Sequence, residues 1–460
     1  MTQLAPILPA PPRLSALDRW SRGPRAWALL ILFCLGCFLP GVTNLPAVDR
    51  DEARYAQASR QMVETGDLID IRLQEEARHK KPVGIYWMQA AGAALIGEDP
   101  DNPISIYRWP SQLGAALAVI FTFLLGRALF GGPVGLVAAG ALGSTILLNV
   151  EARFAKTDAM LLALLVAQQW ALLTAYLRHR AGGRIGWPVA LGFWAALGLG
   201  MLVKGPVATV LATTSCAALW LWDWRFDPQK PRFWAAIAWV WDLRWVWGLP
   251  LALILVVPWL AAIMQESDGG FLEESLWHDW LGKVFEGQEG HGAPPGTYLL
   301  LSTLTLFPAS LLILWGLPAA IRARMQDDRI KALLCWALPF WLVFEAIPTK
   351  LPHYILPSVP ALMILGAWAL LAATEDRPRG LWRGLALGWW ALFGLILAGA
   401  FAALPMLLPP GMPPSPIWIG WPAAASVLLL IFCGFWLWRD GRCTGTLAAI
   451  PVASAALFMA

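Results

Sequence analysis

Long uninterrupted apolar runs constrain this chain more than any other feature of its sequence. Runs such as 27–42, 109–125 and 385–404 approach or reach the roughly 20 residues that an α-helix needs to cross the hydrocarbon core of a bilayer. They do not alternate apolar and polar residues, as the strands of a membrane β-barrel do. Because 58% of the residues are hydrophobic and only 14% are charged, the chain is too apolar for a soluble protein of this size. We therefore expect an all-α polytopic membrane protein.

The apolar runs predict about thirteen transmembrane helices. A shorter apolar segment at 82–96 lies between two charged stretches, and its length indicates an interfacial or re-entrant helix rather than a span. The predicted spans are 26–43, 104–125, 133–150, 158–177, 187–203, 206–222, 246–264, 297–320, 332–347, 354–373, 384–405, 417–437 and 444–460.

The distribution of charge predicts the orientation, because cytoplasmic loops are enriched in Lys and Arg. With the N-terminus inside, the inner segments hold 21 of the 34 Lys and Arg residues but only 9 of the 30 Asp and Glu residues. We expect a multi-pass protein of a bacterial inner membrane with a cytoplasmic tail at 1–25. The outer segments, which would face the periplasm, carry nearly every polar cluster suited to chemistry, and this indicates one shared outer site.

The first outer loop begins with the motif VDRDEARYAQASRQM, in which Asp51 and Glu52 stand at a predicted helix start. A carboxylate there is suited to act as a general base or to orient an acceptor. Helix capping and dipole compensation explain such a residue equally well.

Basic residues end the same loop in the motif RHKKPVGIYW. Lys81 and its basic neighbours suit a lipid-linked phosphate, whose charge lies at the depth of the membrane surface. They are equally suited to anchor an interfacial helix to lipid head groups.

Three further motifs place Lys, Asp and His at the outer ends of spans. They are RFAKTDAM, MLVKGPVA and EAIPTKLPHYILP, and the repeated Lys beside Pro or Gly indicates loops that bend toward one place. Their candidate residues are Lys156, Asp158, Lys204, Lys350, His353 and Tyr354.

Metal, redox and nucleotide chemistry are not indicated. His278 and His291 are thirteen residues apart and match no local metal spacing. The six cysteines lie mostly in apolar runs, so we expect no disulfide framework. The inner loops carry no Gly-rich phosphate loop, which disfavours ATP and nucleotide-sugar donors. We expect no cofactor, no metal and no nucleic-acid partner.

Taken in order, these motifs resemble the bacterial branch of the dolichyl-phosphate-mannose protein mannosyltransferase superfamily, which includes the aminoarabinose transferases that modify lipid A and related galacturonosyltransferases. The resemblance runs from Asp51 to about Pro360. It implies a C-type glycosyltransferase fold with about thirteen spans and amphipathic helices in the first periplasmic loop. Such enzymes move a sugar from a polyprenyl-phosphate carrier to a lipid, glycan or protein acceptor at the periplasmic face, usually with inversion.

The resemblance also implies roles for individual residues. Asp51 would be the principal catalytic carboxylate, with Glu52 and Asp158 beside it. Lys81 would hold the donor phosphate, and Lys283 stands where the family tends to have a phosphate-binding Arg. Arg54 and Lys350 would add positive charge for the departing phosphate. The remaining residues of the expected substrate site are Tyr55, Tyr86, Lys156, Lys204, His291, His353 and Tyr354.

The chain departs from the aminoarabinose transferases at two positions, where Lys80 replaces a Glu and Trp280 replaces a His. In that branch the two side chains resemble metal ligands, so we expect no zinc at this point. The sugar and the acceptor are also open to differ.

We divide the chain into a tail at 1–25, a catalytic module at 26–373 with periplasmic loops 44–103 and 265–296, and C-terminal transmembrane helices at 374–460. The alternative function is a multi-span secondary transporter or lipid flippase. Such a protein is expected to show internal repeats and ionisable residues near mid-membrane, and the sequence shows no such repeat.

Overall fold

A computed structural model describes residues 15–96, 103–227, 231–282, 292–371, 381–407 and 420–440. These residues are mostly helical, as the apolar runs predict. The α-helices are α1 (Ser15–Trp20), α2 (Gly23–Phe38), α3 (Arg50–Thr65), α4 (Gly84–Ile96), α5 (Trp109–Phe130), α6 (Gly132–Gly143), α7 (Ile146–Arg153), α8 (Asp158–Arg180), α9 (Trp187–Lys204), α10 (Val207–Phe226), α11 (Trp245–Glu266), α12 (Gly270–Leu272), α13 (Thr297–Thr305), α14 (Ser310–Ala323), α15 (Asp328–Ala346), α16 (Val359–Leu371), α17 (Leu381–Ala402), α18 (Leu404–Leu407) and α19 (Trp421–Asp440).

Shorter elements connect these helices. Within the described ranges, 3₁₀ helices cover Ile104–Arg108, Ala235–Leu243 and Pro352–Ser358, and a π-helix covers Glu273–Leu281. Strands β1 (Arg72–Leu73) and β2 (Glu76–Ala77) form a small antiparallel hairpin in the first loop, with Arg72 opposite Ala77.

Among the described residues, six helical segments are long and apolar enough to cross a membrane. A seventh candidate is the pair α6 and α7, which are bent by 61° at the break between them. The six segments are Ile104–Phe130, Asp158–Arg180, Trp187–Lys204, Trp245–Glu266, Pro352–Leu371 and Gly384–Ala402. The coarse prediction of a polytopic helical protein is confirmed, whereas the number thirteen is not.

Physical reasons account for several differences from the predicted spans. The predicted span 297–320 divides into α13 and α14, and Pro308, which has no N–H to donate to a helix, stands between them. The first turn of α15 contains Asp328, Arg329 and Lys331, which shortens its apolar part. The segment predicted as interfacial becomes α4, whose 13 residues are too few for a span. The last predicted span, 444–460, lies outside the described residues.

Small residues allow the central helices to pack closely, as is common in membrane helix bundles. A Cβ atom added at Gly114 of α5 would lie 2.4 Å from the backbone of Met160 in α8, and one added at Gly316 of α14 would lie 2.4 Å from Gly366 of α16. Helix α8 lies at the centre of the bundle, and most of its side chains are buried. Its N-terminus therefore has a fixed position relative to its neighbours.

Candidate active site

The polar motifs of the sequence meet at one end of the bundle. Helices α8, α10 and α16 begin at this end, and α7, α9 and α15 finish there. At the opposite end, Arg180 of α8 forms ion pairs with Asp328 and Asp227. The two ends are thus distinct polar surfaces, and we call the first one the site end.

Asp49 caps α3 and connects it to the loop that precedes α8. Its carboxylate accepts hydrogen bonds from the backbone N–H groups of Asp51 and Glu52, at 2.7 and 3.3 Å. It also accepts a hydrogen bond from the Lys156 ammonium at 2.6 Å. Burial opposes ionisation of Asp49, but the hydrogen bond and charge of Lys156 outweigh it and lower the pKa of the carboxyl. Because Asp49 supplies the cap, Asp51 is not needed for that purpose.

Asp51 lies in the first turn of α3 with its side chain half exposed. One carboxylate oxygen is 3.7 Å from a guanidinium nitrogen of Arg54 and 4.0 Å from one of Arg78. Both contacts are longer than direct hydrogen bonds, and the pair with the partly exposed Arg54 contributes little to stability. The carboxylate is therefore accessible to a substrate that enters from the aqueous side.

Glu52 has a structural role in this arrangement, and we revise the prediction that it is catalytic. It is fully buried and accepts two hydrogen bonds from Arg108, at 2.7 and 3.2 Å, and one from the backbone N–H of Ala155, at 3.0 Å. Arg108 also donates to three backbone carbonyls of the segment 42–46. These bonds hold the start of α3 against the loop before α8.

Arg78 is a charged side chain of the site that the predicted set omits. It is 7% exposed, and its guanidinium carbon lies 5.3 Å from the ring centroid of Tyr55. Tyr55 in turn packs on Tyr86, with 5.2 Å between ring centroids. Burial works against the charge of Arg78, but the two tyrosines and Asp51 raise its pKa. The basic run that contains Arg78 was the available signal, but the run gave no reason to prefer this Arg over Lys81.

Asp158 is the first residue of α8, and its carboxylate accepts a hydrogen bond from the Lys204 ammonium at the end of α9. The same ammonium lies 5.6 Å from the ring centroid of Tyr354. Gly205 follows with a φ of +66°, a conformation that favours glycine and turns the chain from α9 into α10. The motifs KTDAM, VKGPVA and TKLPHYILP thus contribute neighbouring side chains.

His353 lies between two carboxylates, one near each ring nitrogen. Its Nδ1 is 3.4 Å from Glu151 and its Nε2 is 3.9 Å from Asp158. Glu151 is buried near the end of α7, and its Oε2 atom has no hydrogen-bond partner among the described residues. The predicted site residues do not include Glu151.

A cavity of about 210 Å³ opens beside these side chains. Its lining combines charged and aliphatic side chains, so it suits a ligand with a charged head and a hydrocarbon chain. The charged residues of the lining include Lys81. The lining residues are Lys81, Asp158, Leu161, Leu162, Lys204, Val207, Val210, Val343, Phe344, Ile347, His353, Tyr354, Leu356 and Pro357.

Lys350 has a structural contact in place of the predicted contact with phosphate. Its ammonium donates to the backbone carbonyls of Phe344, Glu345 and Ile347, at the end of α15. A cation at a helix C-terminus offsets the partial negative charge of the terminal carbonyls. We therefore revise the prediction that Lys350 binds the donor phosphate.

Two predicted site residues, Lys283 and His291, lie outside the described residues. Within the described part of the chain, Glu151, Asp158 and His353 form a group whose potential ligand atoms lie within 4.8 Å of one another. The Lys204 ammonium already occupies one oxygen of Asp158.

Comparison with known proteins agrees with the resemblance read from the motifs. Residues 80–261 match the family model described as dolichyl-phosphate-mannose-protein mannosyltransferase. An undecaprenyl phosphate-alpha-4-amino-4-deoxy-L-arabinose arabinosyl transferase of Pseudomonas fluorescens is 31% identical over 74% of this chain and 59% of the relative. The transferase of the same name from Edwardsiella ictaluri is 28% identical over 89% of this chain and 70% of the relative. This chain thus spans about three fifths of the length of the Pseudomonas relatives it matches.

Solved structures show the same fold. The crystal structure of ArnT from Cupriavidus metallidurans bound to undecaprenyl phosphate superposes with a TM-score of 0.71 at 21% identity, covering 95% of this chain and 76% of that one. The archaeal oligosaccharyltransferase AglB from Archaeoglobus fulgidus gives a TM-score of 0.51 at 14% identity, covering 94% of this chain and 56% of that one. The expected architecture is confirmed at this level.

Proposed function

This chain is similar to the bacterial polyprenyl-phosphate-sugar glycosyltransferases of the dolichyl-phosphate-mannose protein mannosyltransferase superfamily, and from that premise we propose that it transfers a sugar from a polyprenyl phosphate to an acceptor. The observation that carries the proposal is the cavity, whose lining combines Lys81, Lys204 and His353 with aliphatic side chains. A lipid phosphate has the matching polarity, because its charged head adjoins a hydrocarbon chain.

The proposed chemistry follows from the charges around the cavity. When the bond between the sugar and the phosphate breaks, negative charge develops on the departing phosphate. Lys81 and Lys204 line the cavity and stabilise that charge, and cations at a partly dehydrated site are more effective than the same groups in water.

Asp51 is the proposed catalytic carboxylate. Its half-exposed position next to Arg54 and Arg78 allows an acceptor to approach from the aqueous side. If the acceptor is a hydroxyl, Asp51 takes its proton. If the acceptor is itself a phosphate, Asp51 positions it or stabilises the oxocarbenium-like sugar instead.

We place the site end on the periplasmic side of a bacterial inner membrane and expect inversion at the anomeric carbon. The basic residues at the other end of the bundle, including Arg178, Arg180 and Arg184 around the end of α8, support this orientation. A membrane lipid or an envelope glycan is then the accessible acceptor.

The direct test incubates purified protein with undecaprenyl phosphates that carry aminoarabinose, galacturonic acid or glucose, together with envelope lipid extracts. Mass spectrometry follows the release of free undecaprenyl phosphate and the gain of a sugar by an acceptor. We expect transfer by the wild type and a loss of about a hundredfold or more in Asp51→Asn. Glu64→Gln is the matched control, because Glu64 is an exposed carboxylate on the same helix that pairs with Arg60.

Retained activity in Asp51→Asn would remove Asp51 from the mechanism. Movement of labelled substrate across reconstituted membranes without chemical change would favour the transporter alternative, which the comparisons above do not support.

A further inference from the structure

On the basis of the function proposed above, we propose that His353 is the general acid that protonates the departing phosphate, and that Glu151 is the residue that positions it. The contacts of the imidazole carry this inference. Nδ1 lies 3.4 Å from Glu151, whereas Nε2 lies 3.9 Å from Asp158, beyond normal hydrogen-bond distance. One nitrogen thus faces a carboxylate at ion-pair distance, and the other can donate to an oxygen that enters the cavity.

The position of His353 in the fold suits this role. It lies on the 3₁₀ helix Pro352–Ser358, and its side chain is 12% exposed. It lines the same cavity as Lys81 and Lys204, which are the proposed ligands of the phosphate. A phosphate bound between these two ammonium groups would therefore lie next to the imidazole.

Glu151 is a buried carboxylate that faces His353. It is 4% exposed, its Oε1 atom faces His353, and its Oε2 atom has no hydrogen-bond partner among the described residues. A buried carboxylate of this kind is costly unless a cation lies nearby. Lys156 contributes one positive charge near Glu151. An imidazole that gains and loses a proton during turnover adds a second, and the carboxylate fixes the orientation of the ring.

A divalent metal ion is the competing occupant of the same three side chains. A metal would bind one imidazole nitrogen and would compete with the Lys204 ammonium for Asp158. Lys156 also lies near Glu151 and Asp158 and adds positive charge. Two ammonium groups therefore already lie among these carboxylates, which favours a proton over a metal ion.

The acceptor attacks the anomeric carbon, and a hydroxyl acceptor gives its proton to Asp51. The bond from that carbon to the phosphate oxygen breaks, and its electron pair stays on the oxygen. That oxygen takes the proton from Nε2 of His353. Polyprenyl phosphate leaves as a monoanion, and the neutral imidazole recovers a proton from solvent. The charged and titratable groups that face His353 are Glu151 and Asp158, with Lys81, Lys204 and Tyr354 around it.

The experiment compares wild type with His353→Gln, Glu151→Gln and a control, His179→Gln. His179 is also paired with a carboxylate, Asp242, but it lies at the opposite end of the bundle. We expect His353→Gln to lower kcat about 10²- to 10⁴-fold, the usual contribution of a general acid. The KM for the donor should change by less than about threefold.

Glu151→Gln should lower kcat by about tenfold, because it keeps the shape of the side chain but loses the charge that orients the ring. His179→Gln should match the wild type. The proposal is overturned if His353→Gln keeps its kcat, if its whole defect is in the KM, or if a chelator abolishes turnover and zinc restores it.

A binding measurement keeps this inference separate from the proposed function. Undecaprenyl phosphate alone is added to each variant, and the phosphorus resonance of the bound lipid is recorded across pH. We expect His353→Gln to change the resonance of the bound phosphate and its pH dependence, and His179→Gln to change neither. An unchanged resonance in His353→Gln overturns the proposal even if no donor sugar is turned over. A changed resonance in a protein that transfers none of the sugars would count against the proposed function alone.

Discussion

The buried pair between Glu52 and Arg108 gives the sharpest prediction about stability. Both side chains are 0% exposed, and Glu52 also accepts the backbone N–H of Ala155. Glu52→Ala would leave the Arg108 guanidinium buried with no carboxylate partner. Removal of one member of a buried ion pair costs about 3–5 kcal/mol, because the remaining charge stays desolvated. The N–H of Ala155 would also lose its acceptor.

We expect Glu52→Ala to lower the free energy of unfolding by about 3–5 kcal/mol, measured by chemical denaturation in mixed micelles. Glu64→Ala on the same helix is the control. Glu64 forms an exposed pair with Arg60 at 2.6 Å, so its loss should cost about 0.5 kcal/mol or less. The double variant Glu52→Gln, Arg108→Met should recover most of the loss, because it leaves no charge unpaired.

This prediction also separates a structural role for Glu52 from a catalytic one. A Glu52→Ala protein within about 1 kcal/mol of the wild type would refute the reasoning from burial. If that protein were stable and yet unable to transfer sugar, Glu52 would return to the catalytic set.

Three further predictions concern other parts of the site. Lys350→Met should lower the free energy of unfolding by about 1–2 kcal/mol, because α15 loses the cation at its last carbonyls. Donor affinity, measured by titration, should change less than about threefold. A large loss of affinity would restore Lys350 as a phosphate ligand. Lys81→Met should weaken undecaprenyl phosphate binding by about tenfold or more, because a charge-assisted contact in the cavity is lost. Unchanged binding would exclude Lys81 as a phosphate ligand. Asp49 has a lowered pKa in the folded state, so its pairing with Lys156 should stabilise the protein fully above the ordinary Asp pKa of 3.8 and lose effect as the pH falls below that value. Asp49→Asn should remove this part of the acid sensitivity of thermal unfolding. An unaltered dependence of the unfolding temperature on pH would contradict the assignment.

Sequence reasoning was most effective where position along a span determines position in space. Asp158, Lys204 and His353 each stand at a span end on the same predicted side, so their meeting followed from the alternation of the helices. The sequence also indicated helix capping as an alternative role for Asp51 and Glu52, and the structure shows that the neighbouring Asp49 caps α3.

The roles that the sequence did not reveal depend on long-range partners. Nothing local identifies Arg108, which is 56 residues from Glu52 in the sequence, as its partner. The Lys350 ammonium folds back on carbonyls of the preceding helix, a contact set by the path of one loop. The count of thirteen spans stays a prediction, because proline breaks and charged first turns make some described helices shorter than hydropathy alone indicates.

The most direct test of the whole account is a structure of the protein with undecaprenyl phosphate bound, determined by cryo-electron microscopy. The account predicts density for the phosphate within hydrogen-bond distance of Lys81 and Lys204, beside His353, with the lipid chain along the apolar wall formed by α8, α10 and α15. Phosphate density at the opposite end of the bundle, near Arg180 and Asp328, or on the outer surface of the helices would contradict it.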